Sequence, residues 1–259
     1  MNYRRIGFTQ GDGFSMDMIM LGTGGGFSKK YYNNNALINL NGYRLLIDCG
    51  STAHRSLHEL GLSWEKDVDG VIVTHIHADH VGGLEEIALD GKFKYGKKID
   101  LFAAEQLLPL LWENSLKGGV GDDDNGRLED FFRVTPLPTD SVFRIGGMEM
   151  SFHRTQHVPG KLSYGLTIGP LFYSSDSRFD ERLLLSLPSD IRYILHDCSM
   201  TSSDFHASLE ELLSLPAEVQ QKIWLMHYTD NLQEYEDAGR LGKLNVLRQH
   251  RLYQWPAEP

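Results

Sequence analysis

Short apolar runs, broken by glycine, asparagine or charged residues, recur along the chain and predict many short strands and helices. Residues 16–21 and 71–74 are apolar or β-branched runs of strand length. Between them, the runs at 36–40 and 43–47 flank Asn41-Gly42, a pair typical of two-residue hairpin turns. No stretch approaches the ~20 consecutive apolar residues of a transmembrane helix. The pattern therefore predicts an α/β protein with strands in its core.

The rest of the chain continues this pattern. Further strands are predicted at residues 3–8, 99–103, 148–153, 166–168, 171–173, 191–195 and 223–226. Helices are predicted at residues 53–60, 84–89, 105–113, 205–215 and 232–239. No internal repeat, low-complexity tract or proline-rich linker marks a boundary, so we expect one domain over residues 1–259.

Two stretches resemble known binding motifs but lack residues that those motifs require. The glycines at 22–26 are not a dinucleotide-binding fingerprint, because Phe27 occupies the position of the last glycine; we expect a tight turn near the site instead. The acidic run at 122–125 is not an EF-hand loop, because its first and twelfth positions would be Gly121 and Phe132. Residues 115–130 are predicted to be a surface loop, with a flap over a pocket or a subunit contact as the alternatives.

Composition and charge narrow the function classes. Hydrophobic residues make up 41% of the 259 residues, and the net charge is −10, which disfavours the basic face that a large nucleic-acid footprint needs. A small anionic substrate stays open, because metal ions can reverse the local field in a pocket. Residues 1–5 lack the apolar core of a secretory signal, and Cys49 and Cys198 provide no disulfide framework. We therefore expect a cytoplasmic protein without a membrane partner, with both thiols reduced and buried.

The strongest chemical signal is the stretch His75-Ile76-His77-Ala78-Asp79-His80, which directly follows the strand at 71–74. His75 and His77 point the same way in an extended chain, whereas Asp79 and His80 lie where a helix begins. One loop can therefore supply ligands to two adjacent ions. Histidine and aspartate together suit Zn²⁺, and also Mn²⁺ or Fe²⁺. A solvated polar loop is the alternative, which the specific pattern after a buried strand disfavours.

More candidate ligands lie near the ends of other predicted strands, where sites in sheet proteins are commonly found. Asp48, at the end of the strand at 43–47, either orients a ligand histidine or is a turn residue before Gly50. The full hypothesis has one ion held by His75, His77 and His157, a second held by Asp79, His80 and His227, and Asp176 bridging the two.

In these residues the sequence resembles the metallo-β-lactamase superfamily. The matching residues follow the family's order within residues 16–230: Asp48, the loop from His75 to His80, His157, Asp176 and His227. The resemblance implies a four-layer αββα sandwich, with two sheets face to face and helices outside, and it implies the ligand set just given. His77, where another branch has glutamate, resembles the hydrolytic zinc members more than the di-iron flavoproteins.

Within the superfamily the chain most resembles the tRNase Z and phosphodiesterase branch, through residues 21–26, 163–165 and 173–178. His196-Asp197-Cys198 is similar to that branch's His-Glu-Ala segment. His206-Ala207-Ser208 is similar to its His-Ser-Thr segment, although the threonine is absent. The resemblance implies that His206 is a proton donor; the alternative is a surface histidine at a helix N-terminus. His196 either orients a residue of the site or is a buried histidine that is hydrogen-bonded to the backbone.

These features predict a phosphodiesterase with two Zn²⁺ ions and a hydroxide between them, in which Asp79 orients the nucleophile and His206 protonates the leaving alkoxide. A small 3′,5′-cyclic nucleotide is the favoured substrate, because the chain is acidic and lacks the long arm with which tRNase Z enzymes grip tRNA. The chain is similar to the anti-Pycsar phosphodiesterases of phages, which destroy cyclic mononucleotide signals as homodimers. The alternatives are a tRNA 3′-processing endonuclease, a thioesterase or lactonase, and a non-catalytic binding module.

Overall fold

The apolar runs assemble into two seven-stranded sheets in a computed structural model that describes residues 15–121 and 126–256. The first sheet has the spatial order β14 (Leu252–Pro256), β1 (Ser15–Gly22), β2 (Asn35–Leu40), β3 (Tyr43–Ile47), β4 (Gly70–Val73), β5 (Asp100–Ala104) and β6 (Arg133–Leu137). The second has the order β13 (Asn245–Val246), β12 (Ile223–Met226), β11 (Tyr193–Asp197), β10 (Leu171–Tyr173), β9 (Tyr164–Ile168), β8 (Met148–Arg154) and β7 (Phe143–Ile145).

Each sheet has three antiparallel strand pairs followed by three parallel pairs, although the sequence shows no repeat. The neighbours from β14 to β3 are antiparallel, and those from β3 to β6 are parallel. In the second sheet the neighbours from β7 to β10 are antiparallel, and those from β10 to β13 are parallel. Each sheet therefore has a parallel half, and the carboxyl ends of parallel strands meet at the same edge.

Short helices connect the strands: α1 (Ala53–Glu59), α2 (Trp64–Asp67), α3 (Ala78–Val81), α4 (Leu84–Asp90), α5 (Leu108–Leu111), α6 (Lys117–Val120), α7 (Glu181–Ser186), α8 (Leu209–Leu213), α9 (Ala217–Gln220) and α10 (Leu232–Asp237). Single π-helical turns follow α4 and α5, at Gly91–Tyr95 and Trp112–Leu116, and a 3₁₀ turn covers Leu128–Asp130. Among the described residues, no helix combines the length and the hydrophobicity that a membrane span requires.

The apolar side chains form two clusters on the two faces of the second sheet. In β11, Leu195 belongs to the cluster shared with the first sheet, whereas its neighbour Ile194 belongs to the cluster shared with α8. This alternation is expected because successive side chains of a strand point to opposite faces. The layers are therefore helix, sheet, sheet and helix, and the predicted αββα sandwich is confirmed.

The hairpin at Asn41-Gly42 and the strands predicted at 16–21, 71–74 and 223–226 are confirmed. The helix predicted at 105–113 begins later, at Leu108, because Pro109 fits best in the first turn. Helical turns then continue to Val120, so the predicted loop at 115–130 starts too early. The strand predicted at 3–8 and the acidic run at 122–125 lie outside the described residues.

The helix predicted at 205–215 is shorter, and four strands lie outside the predicted ranges. α8 begins after Ser208, whose hydroxyl accepts a hydrogen bond from the Glu211 N–H while the Glu211 carboxylate accepts one from the Ser208 N–H. This capping box fixes the helix start. These four strands are the edge strands of the two sheets, β6 and β14 in the first and β7 and β13 in the second.

Candidate metal centre

The seven residues predicted as ligands lie together at one edge of the two sheets. The loop from His75 to His80 follows β4 and leads into α3, and His227 directly follows β12. Asp176 follows β10, and His157 lies in the connection between β8 and β9. The sandwich therefore gathers side chains that are far apart in sequence, as the strand-end argument predicts.

Three histidine nitrogens and one oxygen of Asp176 form the first group of candidate ligand atoms. His77 Nδ1 lies 3.1 Å from His75 Nε2 and 3.2 Å from His157 Nε2. Asp176 Oδ2 lies 3.7 Å from His75 Nε2 and 3.6 Å from His157 Nε2. Neighbouring ligands of a tetrahedral zinc ion are separated by ~3.3 Å, given zinc–nitrogen bonds of ~2.0–2.1 Å. These four atoms therefore have the spacing of one ion's ligand set.

A second set surrounds the other oxygen of Asp176. Asp176 Oδ1 lies 3.1 Å from His80 Nε2 and 3.3 Å from His227 Nε2. Asp79 Oδ2 lies 3.3 Å from each of the same two nitrogens. One carboxylate thus faces two groups through different oxygens, in the arrangement that the sequence predicts. The assignment of the two groups to two ions stays a prediction.

Two buried atoms of the cluster lack a hydrogen-bond partner. They are His80 Nε2 and Asp176 Oδ1, which face each other without hydrogen-bond geometry. Buried polar atoms are nearly always satisfied in folded proteins, and buried carboxylates are normally paired or bound to metal. A divalent cation at this point would satisfy both atoms, so the donor set fits a metal site.

The electrostatics of the cluster point the same way. Burial raises the pKa of Asp176, but His227 and His80 outweigh it and hold that pKa well below its usual range. Burial lowers the pKa of His80, yet the carboxylates of Asp176, Asp79 and Asp48 raise it well above the usual value. Burial lowers the pKa of His75, which favours the neutral form that binds metal. The carboxylates of Asp176 and Asp79, whose pKa values are lowered, therefore stay charged and attract positive charge into the cluster.

Asp48 orients His80, which decides between its two predicted roles. The His80 Nδ1–H donates to Asp48 Oδ2 over 2.7 Å, and Asp48 is completely buried. Thr74 donates twice to the same carboxylate, from its N–H over 2.8 Å and from its hydroxyl over 2.7 Å. Because Asp48 holds Nδ1, Nε2 is the ring nitrogen that faces the site, and a metal bound there would replace the proton that the raised pKa keeps on Nε2. The Nδ1–H of His157 is held similarly, by the carbonyl of Phe205 over 2.8 Å.

Left-handed backbone conformations mark three of the strand ends at the site. Asp48, Ser175 and His227 have φ values of 59°, 52° and 53°. A residue other than glycine in this region costs ~1–3 kcal/mol and persists only where the surroundings enforce it. The chain therefore turns sharply where β3, β10 and β12 end, at or next to Asp48, Asp176 and His227.

His206 lies at the rim of the cluster and is held by Asp197. The His206 Nδ1–H donates to Asp197 Oδ2 over 2.7 Å, and the His206 ring lies 4.9 Å from the rings of both His157 and His227. Burial lowers the pKa of His206, but the neighbouring carboxylate of Asp197 outweighs it and raises the pKa to about 9. His206 therefore lies beside the predicted ligands with its ring held through Nδ1, and its role as a proton donor stays a prediction.

Sequence reasoning did not include Asp197 among the site residues. The available signal was the acidic residue in the middle of His196-Asp197-Cys198, at the place of the glutamate in the similar His-Glu-Ala segment. His196 itself is buried, and its Nδ1–H donates to the Asp197 carbonyl over 2.7 Å. Of the two readings for His196, the structure therefore favours a backbone-bonded core histidine.

The glycine-rich turn after β1 lies against the cluster, as predicted. A Cβ atom at Gly26 would lie 2.9 Å from Asp79 Oδ2, and one at Gly25 would lie 3.2 Å from His227 Cε1. Side chains at these positions would therefore displace two of the predicted ligands. Two cavities, of about 570 and 400 Å³, open beside this turn and share the residues Gly26, Phe27, Ser28, His206 and His227.

Sequence comparison assigns the chain to a known family. The family described as Anti-Pycsar protein Apyc1 matches residues 16–253. The chain is 46% identical over 248 residues to the Anti-Pycsar protein Apyc1 of Paenibacillus xerothermodurans, covering 93% of this chain and 98% of the relative. It is 42% identical over 252 residues to the protein of that name from Bacillus phage vB_BveM-Goe7, covering 90% and 96%.

The fold also matches a solved structure, the metallo-beta-lactamase fold protein YhfI from Bacillus subtilis. The TM-score is 0.71 at 17% identity, with 93% of this chain and 99% of that chain covered. At this identity the likeness supports the fold alone, and it agrees with the αββα layers described above. By sequence, the chain belongs to the anti-Pycsar Apyc1 family, within the metallo-β-lactamase fold.

Proposed function

We propose that this protein is a dinuclear metal phosphodiesterase that hydrolyses a 3′,5′-cyclic mononucleotide. The observation that carries the proposal is Asp176, whose two oxygens face two different histidine-rich groups at 3.1–3.7 Å. A shared carboxylate suits two ions about 3.5–4 Å apart, the spacing of two-metal phosphoesterases. The name of the relatives, together with the resemblance to phosphodiesterases that destroy cyclic mononucleotide signals, supports the substrate class.

The proposed metal is Zn²⁺, with Mn²⁺ and Fe²⁺ as alternatives that the same donors accept. When bound, the ions would activate a water molecule and offset the negative charge that builds on the phosphate. One ion would be held by His75, His77 and His157, the other by Asp79, His80 and His227, with Asp176 shared. Asp48 would keep the His80 ring turned toward its ion.

The protein's own groups would orient the water and move a proton. The water oxygen would add to phosphorus and lose a proton to solvent, while the bond between phosphorus and one ring ester oxygen breaks and opens the cyclic diester to a monoester. Asp79 would accept a hydrogen bond from the attacking water and so aim it. His206 Nε2 would give its proton to the departing oxygen, while Asp197 holds the ring through Nδ1.

A substrate panel tests this proposal. Zinc-loaded protein is offered several 3′,5′-cyclic nucleotides beside precursor tRNA, and the products are separated by chromatography. We expect cyclic nucleotides to be converted to monophosphates and tRNA to remain intact, because the net charge is −10. Trimming of tRNA 3′ ends without loss of cyclic nucleotide would replace the proposal with the endonuclease alternative. Elemental analysis should find close to two zinc ions per chain.

We also propose an oligomeric state, a domain organisation and a cellular location. The similar anti-Pycsar phosphodiesterases work as homodimers, so we expect light scattering to give the mass of two 29.4-kDa chains. One domain over residues 1–259 is supported by the pairing of β14 with β1, which ties distant parts of the sequence into one sheet. A cytoplasmic setting is supported by two free, buried cysteines and by relatives encoded in phages.

A further inference from the structure

We infer that Phe27 is the surface on which the nucleobase of the substrate stacks, an inference that rests on the proposed function. The Phe27 side chain is 95% exposed, the largest exposed fraction among the large hydrophobic residues of the described chain. It lies in the glycine-rich turn that touches Asp79 and His227. An apolar ring in water beside a ligand cavity is a typical place for a planar ligand group.

The turn that carries Phe27 is held in place from both sides. The carboxylate of Asp230 accepts hydrogen bonds from the backbone N–H groups of Lys29, at 2.9 Å, and Lys30, at 3.0 Å, and from the Ser28 hydroxyl. On the other side, the two preceding glycines lie against the ligand cluster. The backbone that carries Phe27 is therefore positioned before substrate arrives, and binding needs little ordering of this turn.

Phe27 lines both cavities, and their linings indicate which way the nucleoside extends from the phosphate. The larger cavity contains His77, His157 and Asp176, so the phosphate must lie there. The smaller cavity is lined by the hydroxyl and amide side chains of Ser199, Thr229 and Asn231. Because Phe27 lines both, a base attached to a phosphate at the cluster can reach its ring. Every nucleobase has a π face, and stacking on an aromatic side chain contributes ~1–3 kcal/mol per base.

Phe27→Ala tests this inference in steady-state kinetics with zinc-loaded full-length protein. We expect KM for a 3′,5′-cyclic nucleotide to rise about 5- to 150-fold, the equivalent of the stacking energy, with kcat changed less than about twofold. KM for ribose 3′,5′-cyclic phosphate, which lacks a base, should not change. Phe27→Trp should keep or lower the original KM. Phe93→Ala is the matched control, since Phe93 is also exposed, at 67%, and lies outside both cavity linings.

The outcomes separate this inference from the function on which it rests. An unmodified protein that hydrolyses no cyclic nucleotide overturns the proposed function and the inference together. Normal hydrolysis by the unmodified protein with an unchanged KM in Phe27→Ala overturns the inference alone. A KM that rises equally for the base-free substrate, or a Phe27→Ala protein whose only change is its mass by light scattering, shows that Phe27 has a different role.

Discussion

Asp197→Asn should slow the hydrolysis of a cyclic nucleotide while leaving the metal content unchanged. The substitution keeps the shape of the side chain but removes the charge that holds His206 Nδ1 at 2.7 Å. The carboxylate is completely buried, where a charge-assisted hydrogen bond contributes ~1.5–3 kcal/mol. General acids typically accelerate reactions ~10²–10⁴-fold, and a misoriented acid loses part of this. We expect kcat to fall ~10²-fold, which corresponds to ~2.7 kcal/mol.

The assay compares two substrates that differ in their need for a proton. A cyclic nucleotide releases an alkoxide that must be protonated, whereas bis(p-nitrophenyl) phosphate releases a phenolate that is stable in water. Asp197→Asn and His206→Ala should slow the first reaction and leave the second nearly unchanged. The double variant should be no slower than His206→Ala, because both residues act through one proton. Asp180→Asn is the control, because asparagine caps α7 as well as aspartate does.

Two results would refute this reasoning. Equal losses on both substrates would mean that the pair supports the site in general rather than the leaving group. Multiplied losses in the double variant would mean that Asp197 acts independently of His206. In the first case His206 would not be the proton donor, and in the second Asp197 would not act through His206; neither result changes the ligand assignment.

Three further predictions test the cluster itself. His77→Ala should lower kcat by ~10³-fold or more with an unchanged far-UV circular dichroism spectrum, since one ligand group loses a donor outside the core; full activity would refute the ligand assignment. Asp48→Asn should weaken zinc retention ~10–100-fold in a chelator competition, because His80 loses its charged acceptor. Removing metal with a chelator should lower the melting temperature, and zinc should restore it, because His80 Nε2 and Asp176 Oδ1 are otherwise buried without partners; an unchanged melting temperature would contradict this.

Local rules were sufficient where a few neighbouring residues determine the conformation. Asn41 and Gly42 have φ values of 51° and 92°, which these two residue types accept most readily, so the hairpin could be predicted from two letters. The loop from His75 to His80 could likewise be predicted as a metal-binding loop from its own sequence, because four metal-binding side chains fall within six residues after a buried strand. The strand-end argument named its distant partners as candidates, and the family's order supported the choice, because spacing alone does not tell which strand ends meet.

The missed features depend on contacts that are remote in sequence. β6 and β14 are edge strands with a single neighbour each, and β6 contains Pro136 and mostly exposed or half-buried side chains. Proline is tolerated in an edge strand, and the side chains of β6 do not alternate regularly between buried and exposed. The usual sequence pattern of a strand is therefore absent there. Asp197 is nine residues from His206, a spacing that no helix or strand rule connects. Its role follows from the chain path between β11 and α8.

The pairing of β14 with β1 has a consequence for biosynthesis. Ser15 lies opposite Pro256, so a ribosome releases one partner of this ladder long before the other. Until then β1 offers an open edge whose methionines, Met16, Met18 and Met20, are buried in the finished protein. A nascent or truncated chain that lacks β14 therefore exposes an unpaired, aggregation-prone strand edge. We expect such fragments to bind chaperones or to precipitate.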